Sequence, residues 1–505
     1  MTLFETLILG SYFFVLVILG LYGWHRYYLV YSYMKNKDRA PGPPPAWDGP
    51  LPPVTIQLPL YNEMYVADRL LQATARIEYP KELLEIQILD DSTDETSEVA
   101  RLAADRLVEQ GFDVKFMHRT NRSGFKAGAL EAGLKVARGE FVAIFDADFI
   151  PTADFLQRTV PYFQDPKLAL VQARWGHVNA DYSVLTKVQA ILLDAHFVLE
   201  HGGRNRAGHF FNFNGTAGIW RRKVIPEAGG WQHDTLTEDL DLSYRAQMRG
   251  WKFVFLRDVT APAELPPEMR AFKAQQFRWT KGGAQVALKL LPKVLLSKAP
   301  LKVKVEAFFH LTCFMLHLFM LGLVLMIYPA MYLQSVPLES GTVWRGMFDL
   351  GIFTLATLSA SVFYVASQYV LFQDWRTAVK YLPVLMAIGV GLCVSNTKAI
   401  LEALLGKSSE FVRTPKYGDG TLALNGPGYV RKRKRDFLPY IEFALGLYMA
   451  ACAVLSMLDT KSFMAAPFLV IFSFGFFYVS VLSFQAQRAC RLAAQAQSEA
   501  VKAKA

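Results

Sequence analysis

Residues 141–149 read Phe141-Val142-Ala143-Ile144-Phe145-Asp146-Ala147-Asp148-Phe149. Five apolar residues in succession, with no charge among them, predict a strand at 141–145 covered on both faces. Two carboxylates then stand at its end, two positions apart. Residues 85–89 (Glu-Ile-Gln-Ile-Leu) predict a second strand, which runs into Asp90-Asp91. Further strands are expected at 54–60 (Val-Thr-Ile-Gln-Leu-Pro-Leu) and near 114–117. Helical patterns fill the gaps at 66–78, about 94–110 and about 126–137. Strands that alternate with helices imply an α/β domain with a mostly parallel, doubly wound sheet. Ligands of such sheets sit at the carboxyl ends of the strands, so both acidic motifs are expected to face one crevice.

The rest of the chain is of another kind. Of 505 residues, 52% are apolar, and they concentrate in long runs at the N-terminus and in the last two-fifths. Residues 50–300 read as ordinary soluble protein between membrane elements. Net charge is +10, with basic residues clustered at Arg431-Lys-Arg-Lys-Arg435 and beside apolar runs. That placement favours a lipid bilayer surface. Nothing resembles a groove-reading helix or an aromatic RNA platform, so nucleic acid is not expected as a partner. The four cysteines (Cys313, Cys393, Cys452, Cys490) lie in or beside apolar runs without metal spacing, and read as free thiols. No internal repeat is present.

Apolar runs at 3–30, 305–333, 349–373, 380–403, 438–458 and 463–484 are each long enough to span a hydrocarbon core of about 30 Å. No Lys or Arg precedes the first run, whereas Arg26, Lys35, Lys37 and Arg39 follow or close it. The charge rule places the N-terminus outside and the soluble domain in the cytosol. If 380–403 also crossed, the basic loop after it and the basic tail would lie outside. That run carries Asn396, Lys398 and Glu402, which a lipid-facing span avoids. Five crossings plus an interfacial element at about 380–405 are therefore expected. The resulting division is an N-terminal transmembrane helix (1–32), a Pro-rich linker (33–53) and a catalytic domain (54–290). An interfacial segment (291–304), two transmembrane helices (305–373) and an interfacial helix with a cytosolic loop (374–436) follow. Two more transmembrane helices (437–485) and a cytosolic tail (486–505) complete it.

Asp146-Ala-Asp148 can share a hard cation that bridges phosphate oxygens and neutralises a departing diphosphate. Asp91 is expected to contact a nucleotide, although Asp90-Asp91-Ser-Thr-Asp94 also suits a helix cap. Lys126, at a helix start, suits a diphosphate. Glu238 and Asp239 precede a helical stretch. Asp239 could take a proton from a hydroxyl, or both could be first-turn acids that helices favour anyway. In Gln275-Gln276-Phe277-Arg278-Trp279, Arg278 can pair with a diphosphate and Trp279 can stack on a sugar. An interfacial amphipathic helix would carry the same residue types. Asn214-Gly-Thr216 matches a glycosylation acceptor, a reading that a cytosolic domain argues against.

The order of these motifs, DDSTD, KAGAL, DAD, TED and QQFRW followed by membrane runs, resembles the processive family-2 glycosyltransferases. It is similar above all to the cellulose-synthase-like A and C groups, the glucomannan and xyloglucan-backbone synthases. The strings that carry the resemblance are VAIFDADF (142–149), ALVQARW (169–175), FNGTAG (213–218), EAGGW (227–231), TEDLDL (237–242), RGWKFVFL (249–256) and AFKAQQFRW (271–279). It covers about 54–290 strongly and the membrane part loosely. It implies a glycosyltransferase-A fold and a divalent metal, Mg2+ or Mn2+, held by Asp146 and Asp148. It also implies Asp239 as the general base, with Asp91, Gln275 and Arg278 on the donor. Trp279, Phe213, Gly215 and Thr216 would lie near the acceptor. Phe411-Val-Arg-Thr414-Pro-Lys416 resembles the gating loop of cellulose synthases, with Thr414 and Lys416 over the donor. The implied activity is inverting, processive transfer of glucose or mannose, from UDP-glucose or GDP-mannose, to a growing β-1,4-linked polysaccharide that is secreted through the membrane region. The alternative is a transferase that adds one sugar to a membrane lipid. A vestigial domain in an export component is disfavoured by the intact acidic motifs.

Overall fold

The apolar runs become neighbouring parallel strands in a computed structural model, which describes residues 2–335, 342–407, 416, 418, 436–458 and 463–504. The strands are β1 (Val54–Leu60), β2 (Leu84–Asp90), β3 (Asp113–His118), β4 (Phe141–Ile144), β5 (Leu168–His177), β6 (Gly218–Arg221) and β7 (Lys252–Ala263). The helices, in chain order, are α1 (Leu3–Lys35), α2 (Met64–Ala75), α3 (Thr96–Glu109), α4 (Phe125–Val136), α5 (Phe155–Thr159), α6 (Val184–Ala195), α7 (Gly202–Ala207), α8 (Val224–Glu227), α9 (Glu238–Met248), α10 (Met269–Leu296), α11 (Leu301–Thr312), α12 (Leu316–Ser335), α13 (Thr342–Phe372), α14 (Trp375–Gly391), α15 (Cys393–Leu404), α16 (Leu438–Leu458) and α17 (Ala466–Lys504). A π-helical turn, His196–His201, joins α6 to α7.

The sheet runs β3-β2-β1-β4-β6-β5-β7. β1 pairs in parallel with β2 and β4, and β2 with β3. β6 is antiparallel to both β4 and β5, and β7 is parallel to β5. Six of the seven strands therefore point the same way, the mostly parallel sheet expected of a glycosyltransferase-A domain. On one face Ile56, Leu58, Ile86 and Ile88 pack on Val66 and Leu70 of α2 and Ala100 and Ala104 of α3. On the other, Val142 and Ile144 pack on Leu130 and Leu134 of α4 and Leu242 and Ala246 of α9. Each such side chain, fully buried, contributes about 1.5–3 kcal/mol.

Among the described residues, five helical stretches are long and apolar enough to cross a membrane: Leu3–Lys35, Leu301–Leu333, Trp375–Leu404, Leu438–Leu458 and Ala466–Ala489. Thr357–Phe372 within α13 is a shorter apolar stretch. The membrane protein expected from composition is thus present, but length and composition admit 375–404 as a span, which the charge count had placed at the interface. Within that stretch one residue, Leu392, separates α14 from α15, and its backbone angles stay helical. Leu385 and Ile388 of α14 pack with Leu185 and Val188 of α6 and with Phe272 of α10.

α14 and α17 cross at glycines. A Cβ added to Gly475 would lie 2.1 Å from the Ala387 carbonyl oxygen, and one on Gly391 2.5 Å from that of Gly475. Small residues permit this approach of two backbones. Gly475→Leu is expected to lower the thermal midpoint of the detergent-solubilised protein, since overpacking costs about 1–3 kcal/mol. An unchanged midpoint would show that the two helices do not touch there.

Candidate active site

Strand direction assembles the site. Six parallel strands bring their carboxyl ends to one edge of the sheet. β6, running the other way, brings its amino end there, with Gly218 opposite Ile144. The segment before β6 is therefore laid beside Asp146. A cleft with a cavity volume of about 190 Å3 opens along this edge. It takes Tyr61 after β1, Asp91 after β2, Asp146 and Asp148 after β4, His177 from β5, and Glu264 after β7. Asn214 and Gly215 enter from the segment before β6, and Glu238 and Asp239 from the first turn of α9. Gln275, Arg278 and Trp279 reach it from α10, and Lys416 from beyond α15.

The charges interlock. Lys126 Nζ donates to Asp146 Oδ1 and, at 2.9 Å, to the Gly215 carbonyl oxygen. The Asp146 backbone N–H is held by Thr216 Oγ1 at 2.9 Å. Lys416 Nζ pairs with Asp148 Oδ2. Asp91 accepts both arms of Arg119, at 2.7 and 2.5 Å, a bidentate pair that fixes the carboxylate plane. Burial, and then the neighbouring Glu238, push the Asp239 carboxyl up to about 7. Burial also raises Glu238, against the pull of Lys126. For Lys126, burial works downward, but Asp146, Glu238 and Asp239 outweigh it and raise its pKa. Arg278 is lowered by burial, with Asp146 and Glu238 opposing. Perturbed acids and bases gathered in one cleft mark a site of proton chemistry.

Asp146 and Asp148 suit a divalent cation that arrives with a diphosphate. Mg2+ is commonly held by one or two carboxylates plus substrate phosphates rather than by an all-protein cage. Among the described residues no three His, Cys, Asp or Glu converge on one point, so the donor set fits a shared cation. Each carboxylate already faces an ammonium group, Lys126 or Lys416, so both positions accept positive charge.

Of the residues singled out in the sequence, Asp91, Lys126, Asp146, Asp148, Gly215, Glu238, Asp239, Gln275, Arg278, Trp279 and Lys416 line this one cleft. Phe213 departs from its expected place near an acceptor. It is fully buried, its ring edge-on to Trp220, and its N–H donates to Ser243 Oγ at 2.9 Å. Thr216 is buried too, and acts behind Asp146 rather than on the cleft surface. Thr414 lies outside the described residues.

The sequence reading missed Arg119, the partner of Asp91. It also missed Arg122, whose guanidinium lies 3.3 Å from the Tyr61 ring centroid, and Trp175, whose ring is 6.5 Å from that of Trp279. Their place directly after the strand expected near 114–117 was the available signal for Arg119 and Arg122, and Trp175 stands in the quoted string ALVQARW. Gly215 has φ 79°, and a Cβ there would lie 3.0 Å from Asp239 Oδ2. Gly215→Ala is expected to cost about 1–2 kcal/mol from the left-handed backbone alone, seen as a lower melting midpoint. An unchanged midpoint would refute this local geometry.

Comparison with known proteins places the site in a family. Residues 52–282 match the model of the glycosyltransferase-like family 2. Glucomannan 4-β-mannosyltransferase 7 of Arabidopsis thaliana is 34% identical over 445 residues, 84% of this chain and 77% of the relative. Probable glucomannan 4-β-mannosyltransferase 11 of the same plant is 35% identical, over 84% of this chain and 97% of its own length. Glucomannan 4-β-mannosyltransferase 1 of Oryza sativa subsp. japonica is 37% identical over 73% of this chain and 70% of its own. A solved mannosyltransferase from Pyrobaculum calidifontis, in complex with GDP-Man and Mn2+, matches 71% of this chain and 99% of its own, at 21% identity and a TM-score of 0.49. With its motifs gathered at one sheet edge and these relatives spanning most of its length, the chain belongs to the family-2 glycosyltransferases, in the cellulose-synthase-like A group that holds the glucomannan 4-β-mannosyltransferases.

Proposed function

We propose that the chain is an inverting, processive polysaccharide synthase. It transfers mannose from a nucleotide sugar to a growing β-1,4-linked chain and secretes the product through its transmembrane region. The observation that carries this reading is the convergence of Asp239, Lys126, Arg278, Asp146 and Asp148 on one cleft at the carboxyl edge of the sheet. The relatives named as 4-β-mannosyltransferases support mannose as the sugar.

Asp239 takes the proton from the terminal hydroxyl of the acceptor. The acceptor oxygen bonds to C1 of the donor sugar while the C1–phosphate bond breaks on the opposite side. One displacement inverts the anomer, so an α-linked donor yields a β-linked product. Lys126 and Arg278 hold the departing nucleoside diphosphate and oppose its developing charge. Mg2+ or Mn2+ at Asp146 and Asp148 would add charge neutralisation to the same diphosphate. Asp91, held flat by Arg119, orients the nucleotide. Trp279, beside Trp175, offers an apolar face to the acceptor sugar. The catalytic domain is cytosolic and the N-terminus extracytosolic by the charge rule. The place of Lys416 at Asp148 supports return of the chain to the domain's side after α15.

Asp239→Asn is expected to abolish sugar transfer while donor binding, read by nucleotide titration, persists. Wild-type turnover in that variant would remove Asp239 from the role of base. A base must be ionised, so the rate should fall as pH drops below about 7. A pH–rate profile flat from pH 5 to 8 would contradict this. A panel of GDP-mannose, UDP-glucose and GDP-glucose, with linkage-specific hydrolases acting on the product, should show a β-mannanase-sensitive polymer from GDP-mannose. A lipid-linked monosaccharide would point to the non-processive alternative.

A further inference from the structure

The proposed base and a proposed diphosphate ligand sit on separate helices, Asp239 on α9 and Arg278 on α10. An in-line displacement needs the separation between them fixed. Arg278, Gly282, Gln285 and Lys289 follow one another along α10 at helical spacing, so they share one face of it. That face lies against residues 232–241, the segment that carries Glu238 and Asp239. At Gly282 the backbone of α10 meets it. A Cβ there would lie 2.5 Å from Thr237 Cγ2 and 2.9 Å from the Thr237 nitrogen. One turn further on, Gln285 Oε1 accepts the Leu236 N–H at 2.9 Å. After one more turn, Lys289 Nζ meets Gln232 Oε1 at 2.7 Å, Asp234 Oδ1 at 2.8 Å and Asp241 Oδ1 at 2.8 Å.

Asp241 is fully buried, so its charge persists only if it is opposed. Lys289 takes one of its oxygens. Arg245 takes the other, with Nε at 2.7 Å and Nη2 at 2.6 Å from Oδ2. Arg245 Nη2 also donates to the Gly230 carbonyl at 2.9 Å. The Trp231 N–H donates to Glu131 of α4 at 3.2 Å, on the helix that opens beside Lys126. The segment is therefore fastened at its start to α4 and α9, and along its length to α10. α10 has supports of its own, Lys273 on Glu442 and Lys281 on Glu402. Loss of the Gln285 or Lys289 contact thus leaves Arg278 held, while the segment with Asp239 gains freedom to shift. Among the described residues that line the cleft, Gln285 and Lys289 are absent, so both act through this segment rather than on a substrate.

We propose that Gln285 and Lys289 are positioning residues for sugar transfer, which clamp residues 232–241 onto α10 and so fix Asp239 at its distance from Arg278. This rests on the transferase reading above, because Asp239 is the base that reading assigns. The clamp makes one helix responsible for both halves of the displacement. α10 holds the leaving group directly, through Arg278, and places the base indirectly, through the next three turns of the same face.

The test uses the full chain in nanodiscs, with labelled GDP-mannose as donor and mannotetraose as acceptor. Lys289→Met and Gln285→Ala should each lower kcat about tenfold, since small misplacements of a reacting group are costly. The GDP-mannose KM should stay unchanged, because Asp91, Lys126 and Arg278 keep their places. Gly282→Ala, which pushes on Thr237, should act in the same way. Lys289→Arg, whose guanidinium can meet the same oxygens, should recover most of the lost kcat. Lys293→Met removes an exposed lysine one turn further along α10 and should leave both constants at the wild-type value. GDP binding reports whether each variant is folded. If Lys289→Met does not fold, the contrast between Gln285→Ala and Lys293→Met decides the matter. An active wild type with unchanged kcat in the Gln285 and Lys289 variants would overturn this inference alone. So would a rise in GDP-mannose KM that matches the fall in kcat, or a loss that Lys289→Arg does not recover, since either marks general loosening. A wild type that transfers no sugar from any donor would overturn the transferase reading and this inference with it.

Discussion

Seven carboxylates and four basic side chains among the described residues line one cleft, and their mutual balance is the condition on which the rest of the site depends. Asp146, Asp148, Glu238 and Asp239 stand against Lys126, Arg278 and Lys416. Charges withdrawn from water persist only when opposed and hydrogen-bonded. Lys126 meets this demand by reaching Asp146 and the Gly215 carbonyl together. Asp239 meets it differently, by a raised pKa. A donor diphosphate would bring new negative charge, which the lysines now facing Asp146 and Asp148 can meet if a divalent cation takes over those carboxylates. Asp239, whose proton affinity burial and Glu238 raise, is then left free to act as the proposed base.

The cleft is only as fixed as α10, which carries Gln275, Arg278 and Trp279. Lys273 and Lys281, two turns apart on that helix, each form an ion pair with a helix behind it, the first buried and the second partly so. Lys273 meets Glu442 of α16 at 2.6 Å, and Lys281 meets Glu402 of α15 at 3.0 Å. Removing one partner of such a pair typically costs about 3–5 kcal/mol, because a charge is left uncompensated. The same helix packs Val286 and Leu290 against Leu240 and Tyr244 of α9. The helix that holds the proposed base and the helix that holds the proposed diphosphate ligand are thus packed on each other, and the latter is tied to α15 and α16.

Much of this was legible in the sequence because parallel strands are buried on both faces and so leave unbroken apolar runs. The acids after 89 and 145 had to fall at the same sheet edge once the strands were parallel. What was not legible depended on register and on side-chain direction. Asp90 pairs with His118 across β2 and β3, which sets Arg119 beside Asp91, and no local pattern specifies that register. Phe213 was expected on the acceptor and is in the core. In an extended segment neighbouring side chains face opposite ways, so Phe213 turns into the core while Asn214 borders the cleft. The antiparallel insertion of β6 had no signature in residues 218–221 alone. It is nevertheless what carries Gly215 to Asp239.

The segment 375–404 shows how contacts constrain what composition leaves open. It is long and apolar enough to cross a membrane. Yet just before it, Gln368 of α13 donates to Asp194 of α6 at 2.9 Å, so the segment begins against the domain. At its end, Glu402 pairs with Lys281, one helical turn from Arg278 in the cleft. Lys416 then reaches Asp148 itself. A path that starts and ends at the same domain crosses a bilayer an even number of times or not at all. The proposed five-crossing topology requires that parity. It keeps Lys416 on the side of the membrane that holds the cleft.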